Sequence, residues 1–496
     1  MNFWEYLSAF WLGVSLLCHL GVLVYILYTK TEDPADTLFW MLVVALLPVA
    51  GIVLFLFFGV NRVAHIDNLV QKVAFRLKDE REHLLGLEIS GAERKLRDFA
   101  APPETAQNYH NRMLDRLFPQ SLLLDGNRLE ILLDGTAAYP RMLADIEQAE
   151  SSIRLQSFIL MGDEVGARIL EALERKAAAG VDVKVLYDDF GSFKAYFSRI
   201  FRQALRKNRP NFAIRAFSPL NLLAPWRFQM RNHRKLLVID GRIAYSGGIN
   251  ISRENEQLDS VPANRRIHDL HCRITGPAVS QFLLTFFYDW AYTTRRKLGE
   301  IAVPGDFPEP AKCGDDTVRV LKSGPGQNYQ GTRNLFFTAA ATARQSLTIM
   351  TPYLVPGPSY IQTLCMTAAR GVEVKIIVPR HNNHFFVDYA ARSLYHRLLR
   401  HGVKIYEKNG RFSHIKALLV DNEWGFMGSS NCDNRSFQLN FELDFCYESG
   451  PYVEAMRQLV HDELAKSDEL TLFEVERKSM IRRLAENLCA LLSSIL

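Results

Sequence analysis

One pattern constrains this chain more than any other, because it occurs twice. His233-x-Lys235-x4-Asp240-x6-Gly247-Gly248-x-Asn250 is repeated as His414-x-Lys416-x4-Asp421-x6-Gly428-Ser429-x-Asn431, with 17 positions from His to Asn in both copies. Each copy leads an apolar run, LLVID or ALLVD, and agreement at four polar positions is more than chance readily supplies. Successive side chains of a strand alternate faces, so each His-x-Lys presents an imidazole beside an ammonium. Asp240 and Asp421 follow their histidines by an odd offset that sends them to the opposite face or into the turn, which gives them a structural reading. The runs KLLVID-GR-IAYSGG and KALLVD-NE-WGFMGS have the form of hairpins, which bring Asn250 and Asn431 back beside the histidines. Two halves facing each other then pool two His, two Lys and two Asn.

That set suits a phosphodiester. Lys and Asn donate to the non-bridging oxygens and neutralise charge where it develops, while imidazole attacks phosphorus or moves a proton. One histidine serves as nucleophile and the other as general acid for the leaving alcohol, then as general base for the incoming one. Asp269-Leu-His-Cys and Glu442-Leu-Asp-Phe read as corresponding strands of the two copies, and each carboxylate is expected to orient the histidine of its own copy through the second ring nitrogen. This chemistry calls for no metal and no cofactor.

With these residues the chain resembles the phospholipase D superfamily, and within it the bacterial cardiolipin synthases. The closer resemblance rests on NHRKLLVIDGRIAYSGGINI (232–251), HDLHCRITGPAV (268–279), SGPGQ (323–327), TPYLVPG (351–357) and FSHIKALLVDNEWGFMGSSNCDNRSFQLNFEL (412–443). Two departures stand out: ISRENEQ follows the first motif where the family has aspartate-glutamate-tyrosine, and no tryptophan precedes His268-Asp269. Both bear on the acceptor alcohol. The resemblance implies a catalytic set of His233, Lys235, Asp240, His414, Lys416 and Asp421, with Asn250, Asn431 and Ser429 binding substrate. It further implies transfer of a phosphatidyl group between two phosphatidylglycerol molecules, giving cardiolipin and glycerol, with hydrolysis or another acceptor alcohol as the alternative. His233 is the nucleophile the resemblance favours.

The duplication extends beyond the motifs. AESSIRLQSFIL (149–160) is similar to ARQSLTIMTPYL (343–354), and GVDVKVLYDD (180–189) to GVEVKIIVPR (371–380), each after an Ala-rich helical stretch. Strand–helix–strand units of this kind predict an α/β fold of two phospholipase D-like domains, sheets flanked by helices, related by a pseudo-twofold axis that carries the site. The expected divisions are a hairpin of two transmembrane helices (1–60), a juxtamembrane helical linker (61–129), a first domain (130–310) and a second with a C-terminal amphipathic helix (311–496).

Residues 10–28 and 37–59 contain no Lys, Arg, Asp or Glu, and as helices they are about 28 and 34 Å long, enough for a bilayer core. Arg62, Lys72, Arg76 and Lys78 follow the second, which predicts a multi-pass protein of the bacterial inner membrane with its catalytic domains on the cytoplasmic side. A cleaved signal peptide fits less well, since residues 1–9 lack a basic region. Seven cysteines with no C-x-x-C argue against a disulfide frame or zinc site. From Gly191 to Lys235 there are eleven Lys/Arg and no acid, and Leu220, Leu222, Leu223, Trp226 and Phe228 lie in the same stretch. A surface both cationic and apolar fits anionic membrane lipids, and with two membrane segments it argues against nucleic acid as partner. The bland alternative is a solvated basic helix followed by a core loop.

Overall fold

The structure, a computed structural model, describes residues 3–29, 34–59, 95–207, 209–219, 230–258, 260–296, 301–303, 305–325 and 327–491. Residues 61–94 of the expected linker, and the apolar residues Leu220–Phe228, lie outside the described residues. The chain forms two compact units, an N-terminal one and a much larger body.

In the N-terminal unit a helix spans Phe3–Thr29, and two more follow over Pro34–Leu46 and Pro48–Leu54, ending in a π-turn at Phe55–Gly59. The second charge-free stretch is therefore not one straight helix. Pro48 has no N–H to donate and its ring collides with the preceding turn, so the chain bends at Leu47 (φ −121°, ψ 77°). Trp40 and Phe55 would be about 22 Å apart in a continuous helix, yet their rings are 5.6 Å apart and share a small core with Ile26 and Val44. Among the described residues, no helix is long and apolar enough to cross a membrane.

The body is built on one fifteen-stranded sheet, and its strand order shows the duplication directly. From the centre outward the first half runs Leu123–Leu133, Leu270–Thr275, Ile243–Gly247, Leu236–Ile239, Ser152–Ser157, Asp182–Asp188, Phe212–Phe217. The second runs Asp316–Ser323, Glu442–Glu448, Trp424–Gly428, Ala417–Val420, Ser346–Met350, Glu373–Pro379, Lys404–Lys408, with Ser467–Leu470 added at the edge. Directions match as well: both halves are antiparallel up to the fifth strand and parallel over the last two of the repeat. The halves join where Leu123–Leu133 pairs antiparallel with Asp316–Ser323. An α/β fold of two like domains about a pseudo-twofold is what this order describes.

Each motif hairpin is buried on both faces, so its sequence is apolar throughout. Leu236 and Val238 enter a core shared by both halves, while Leu237 and Ile239 enter the outer core of the first half. Ala417 and Leu419 join the same shared core, with Leu418 and Val420 in the outer core of the second half. Helices Val279–Thr294 and Pro451–Ala465 supply the shared core with Phe282, Phe286, Tyr452 and Met456. Gly180 (φ +101°) and Gly371 (φ +90°) follow helices Glu164–Ala178 and Pro358–Ala369 in the left-handed conformation that ends a helix before a strand. The C-terminal segment is not the single amphipathic helix its pattern suggests. After Pro451–Ala465 it pairs a strand with Lys404–Lys408, and Thr471 and Glu474 then form a capping box that starts a new helix.

Candidate active site

The alternation that sorts the hairpin side chains also sets the site. His233 and Lys235 share the parity of Leu237, and His414 and Lys416 that of Leu418, so each pair emerges on one face at the start of its strand. The residue between them goes to the other face: Ile415 enters the shared core, and Arg234 points toward helix Val279–Thr294.

The two histidines are held by carboxylates of the opposite half. His233 Nδ1 is 3.1 Å from Glu442 Oε2, and His414 Nδ1 is 2.7 Å from Asp269 Oδ2. The main chain repeats the exchange, since His233 N–H donates to the Phe441 carbonyl (2.9 Å) and His414 N–H to the His268 carbonyl (2.7 Å). Both carboxylates are fully buried. Glu442 also accepts from Ser429 Oγ (2.5 Å), Ser436 Oγ (2.8 Å) and Asn440 Nδ2 (3.2 Å), and Asp269 accepts from Leu270 N–H (2.8 Å). Ser429, expected on substrate, is therefore occupied in fixing Glu442, because its hydroxyl was the nearest donor to a buried charge. At the equivalent place in the first half stands Gly248, where a Cβ would lie 2.7 Å from the Asp269 carboxyl carbon.

Lys235 Nζ donates to the His233 carbonyl (2.6 Å) and lies 5.4 Å from the Phe158 ring centroid; Lys416 Nζ donates to the His414 carbonyl (2.5 Å) and lies 2.7 Å from His414 Nδ1. Burial pushes Lys235 down to about 7, with Lys416 adding to the shift, and burial brings Lys416 to about 8 against the pull of Asp269 and Glu442. Burial likewise pushes His414 down to about 3, helped by Lys416, and holds His233 below its ordinary value against Glu442. Burial raises Asp269 and Glu442, but Lys416 with His414, and His233 with Lys235, outweigh it and keep both carboxyls below the usual range. On the acid side of the two lysine values the site thus holds neutral imidazoles, two carboxylates and two ammoniums.

Asn250 Oδ1 accepts from Ile159 N–H (3.1 Å), beside Phe158, whose ring meets His233 edge-on at 4.9 Å. Asn431 Oδ1 is buried without a hydrogen-bond partner among the described residues. Asp240 and Asp421, carried in the catalytic set, are elsewhere. Asp240, at φ +51°, accepts from Glu150, Ser151 and Ser152 N–H, all at 2.8 Å; Asp421 accepts from Arg344 (2.9 Å), Gln345 (2.7 Å) and Ser346 (2.9 Å). Each ties its hairpin turn to the start of the neighbouring strand, at the far end of the hairpin from the histidine. The odd offset in the motif already carried this information.

Several supporting groups escaped the sequence reading. Arg234 is fully buried and donates to Asp289 Oδ1 (2.6 Å), to the Ser323 carbonyl (2.8 Å) and through Nε to the Glu442 carbonyl (3.0 Å). A buried Arg beside the motif His was a signal in its own right, but its partner lies 55 positions away. His268 sits between Asp134 (2.8 Å) and Glu463 (3.1 Å), whose hydrogen bonds outweigh burial and raise it to about 9. Among the described residues, no group of three or more His, Cys, Asp or Glu has the arrangement of a metal site.

Comparison with known proteins gives the family. A family model described as "Cardiolipin synthase, PLD-like domain" matches residues 142–287 and 337–463, and one described as "Phospholipase_D-nuclease N-terminal" matches 19–59. The major cardiolipin synthase ClsA of Bacillus subtilis (strain 168) is 30% identical over 99% of this chain and 100% of its own. A cardiolipin synthase of Alkalihalophilus pseudofirmus is 32% identical over 95% of this chain and 91% of its own. Among solved structures, phosphatidylserine synthase of Haemophilus influenzae Rd KW20 superposes with a TM-score of 0.60 at 16% identity, over 78% of this chain and 100% of that one, a likeness of fold. With more than half of its length matched by the family model and full-length relatives at this identity, the chain belongs to the cardiolipin synthase family of phospholipase D-like proteins.

Proposed function

We propose that this phospholipase D-type phosphatidyltransferase joins two phosphatidylglycerol molecules into cardiolipin and glycerol through a phosphohistidine. The observation that carries the reading is the crossed pairing: each half contributes one histidine and the carboxylate that orients the other, so neither half makes a site alone.

His233, its Nδ1 engaged by Glu442, attacks phosphorus through Nε2 while His414 gives a proton to the departing glycerol oxygen. The hydroxyl of a second phosphatidylglycerol then loses its proton to His414 and attacks the phosphohistidine, and His233 leaves. Lys235 and Lys416 balance charge on the non-bridging oxygens. Burial, and after it those same ammoniums, hold His414 neutral before substrate arrives; the phosphate charge offsets the ammoniums, so the proton affinity of His414 rises on binding, when an acid is needed. Asn431, with an unsatisfied amide oxygen, and Asn250 line the substrate side. The N-terminal helices are read as an anchor in the bacterial inner membrane with the body on its cytoplasmic side, supported by the charge-free stretches and the basic residues that follow them.

Purified protein in detergent, given phosphatidylglycerol, should yield cardiolipin plus glycerol by mass spectrometry; phosphatidic acid as the main product would replace the synthase by a hydrolase. His233→Ala and His414→Ala should each lose nearly all turnover. Labelled phosphate trapped on the protein by acid-free denaturation should vanish in His233→Ala, and its retention there would move the nucleophile to His414.

A further inference from the structure

Each half carries a pair of exposed aromatic rings outside the catalytic set, at matching points of the fold. Strand Asp182–Asp188 lies parallel to Ser152–Ser157, and beyond its carboxyl end the chain turns out through Phe193–Phe197 into helix Arg199–Arg206. Strand Glu373–Pro379 lies parallel to Ser346–Met350, and beyond its carboxyl end the chain turns out into helix Phe385–Arg400. Phe193 and Phe197 are 51% and 75% exposed with ring centroids 5.9 Å apart, and Phe385 and Phe386 are 57% and 55% exposed at 5.6 Å. Single exposed apolar residues are ordinary. Two ring pairs at one topological position, in loops with little sequence in common, are not.

Both pairs are rooted in the walls of the active site. In the first half, Ser192 Oγ donates to the Phe158 carbonyl (3.2 Å) and accepts from Leu160 N–H (3.0 Å), and the Phe158 ring faces His233. In the second, Asn382 Nδ2 donates to the Pro352 carbonyl (2.9 Å) and the Tyr353 hydroxyl donates to Asn383 Oδ1 (2.9 Å), while the Tyr353 ring lies 6.1 Å from that of His414. The rings thus flank the site at the carboxyl ends of the strands, where open α/β sheets take their ligands. Charge names the occupant. From Phe190 to Lys207 there are five cations, Lys194, Arg199, Arg202, Arg206 and Lys207, and no Asp or Glu. All five are exposed. In the first half, where among the described residues only Lys207 is engaged by an acid, Glu174, apolar rings set among cations match the headgroup–acyl boundary of an anionic bilayer; in the second half Phe385 and Phe386 add apolar rings without a cation cluster.

We propose that these two aromatic knuckles seat the body on an anionic lipid surface, holding the mouth of the active site against the membrane so that a diacyl substrate reaches the histidines without leaving the lipid. The inference rests on the lipid-substrate reading above.

The test uses the full chain with its two exposed cysteines removed (Cys18→Ser, Cys313→Ser), the other five being buried. Phe197→Cys and Phe385→Cys carry an environment-sensitive fluorophore, with Glu150→Cys and Arg344→Cys, exposed at the opposite ends of the parallel strands, as controls. In phosphatidylglycerol-containing nanodiscs, lipid bearing a nitroxide near the head of its acyl chain should quench positions 197 and 385 at least threefold more than the controls. Quenching at neither or only one, or the same blue-shifted emission in lipid-free detergent as a second copy covering the rings would give, overturns the proposal. The fourfold variant Phe193→Ser/Phe197→Ser/Phe385→Ser/Phe386→Ser should lose at least tenfold in turnover of long-chain phosphatidylglycerol in nanodiscs and keep wild-type turnover of a short-chain, monomeric form; equal loss on both also overturns it. If the wild type makes no cardiolipin from either form while both labels are quenched, the docking stands and the proposed reaction falls.

Discussion

Gly248→Ala tests the crossed carboxylates with a single methyl group. The added Cβ would stand 2.7 Å from both Cγ and Oδ2 of Asp269, and nearer still to Oδ1. Carbon atoms rest at about 3.5 Å, so the carboxylate must retreat by about 1 Å. It has little freedom to do so: it is fully buried, with one oxygen on Leu270 N–H and the other 2.7 Å from His414 Nδ1. The retreat therefore takes the orienting contact from His414. A displacement of about 1 Å in a catalytic group costs on the order of 100-fold in rate, which corresponds to about 2.7 kcal/mol of transition-state stabilisation. Cardiolipin formation by Gly248→Ala in detergent should thus fall about 100-fold in kcat with KM changed by less than about threefold, while the same overpacking lowers stability by about 1–3 kcal/mol, so turnover is compared well below the melting transition. The mirror change Ser429→Gly removes one of four donors to Glu442, worth about 1.5–3 kcal/mol as a hydrogen bond to a charge, but leaves Ser436 and Asn440 in place. It should be the milder of the two. Gly248→Ala retaining more than half of wild-type turnover would show that Asp269 does not hold His414 for catalysis.

Three further outcomes follow from the same geometry. Asp240→Ala removes the acceptor of three main-chain N–H groups and should cost about 2–3 kcal/mol of stability while leaving kcat at low temperature near wild type; a selective loss of kcat would return Asp240 to the chemistry. Burial raises the Asp240 carboxyl but the N–H groups of Ser152, Glu150 and Ser151 outweigh it, so its folded pKa is depressed, and the stability it contributes is present above the unfolded carboxyl pKa and lost as pH falls through the folded one. With Lys235 at about 7 and Lys416 at about 8, kcat/KM should decline as pH rises through that range and the free enzyme loses its ammoniums, and a profile flat to pH 9 would refute the role given to the lysines. Arg234→Ile imports the residue of the second half and strands Asp289, which should cost about 3–5 kcal/mol in thermal unfolding; Arg234→Ile/Asp289→Leu should recover only part of it, since the buried charge goes but Gln156 loses its acceptor and the Ser323 and Glu442 carbonyls their donor.

Much of this was legible in the chain because duplication exposes what a single copy hides. The doubled His-x-Lys located the site, and the alternation of LLVID and ALLVD fixed which side chains face it. The matched SIRLQS and SLTIM strands and the glycines after each helix gave the α/β repeat. What escaped was nonlocal. The fold-back at Leu47 depends on Trp40 meeting Phe55, and composition alone counts only apolar residues. The post of Ser429 depends on a carboxylate 13 positions on, and the cage around His268 on Asp134 and Glu463, 134 and 195 positions away.

The crossing of the carboxylates is the deepest of these, and it explains why the duplication persists as two halves of one site. Had each carboxylate served the histidine of its own copy, each half would be complete and the pseudo-twofold ornamental. Instead His233 N–H reaches the Phe441 carbonyl and His414 N–H the His268 carbonyl, so short parallel bridges lace each motif strand to the other half just before the carboxylate. Identity at the matched positions is then free to drift. Gly248 pairs with the short Asp269, whose carboxylate occupies the space a Cβ would need, and Ser429 pairs with the longer Glu442, whose carboxylate needs a donor. Arg234 reaches Asp289 in one half, where Ile415 packs into the core of the other. Two strands that begin as copies come to hold their imidazoles differently, and a reaction that asks one histidine to bond phosphorus and the other to carry a proton has use for that difference.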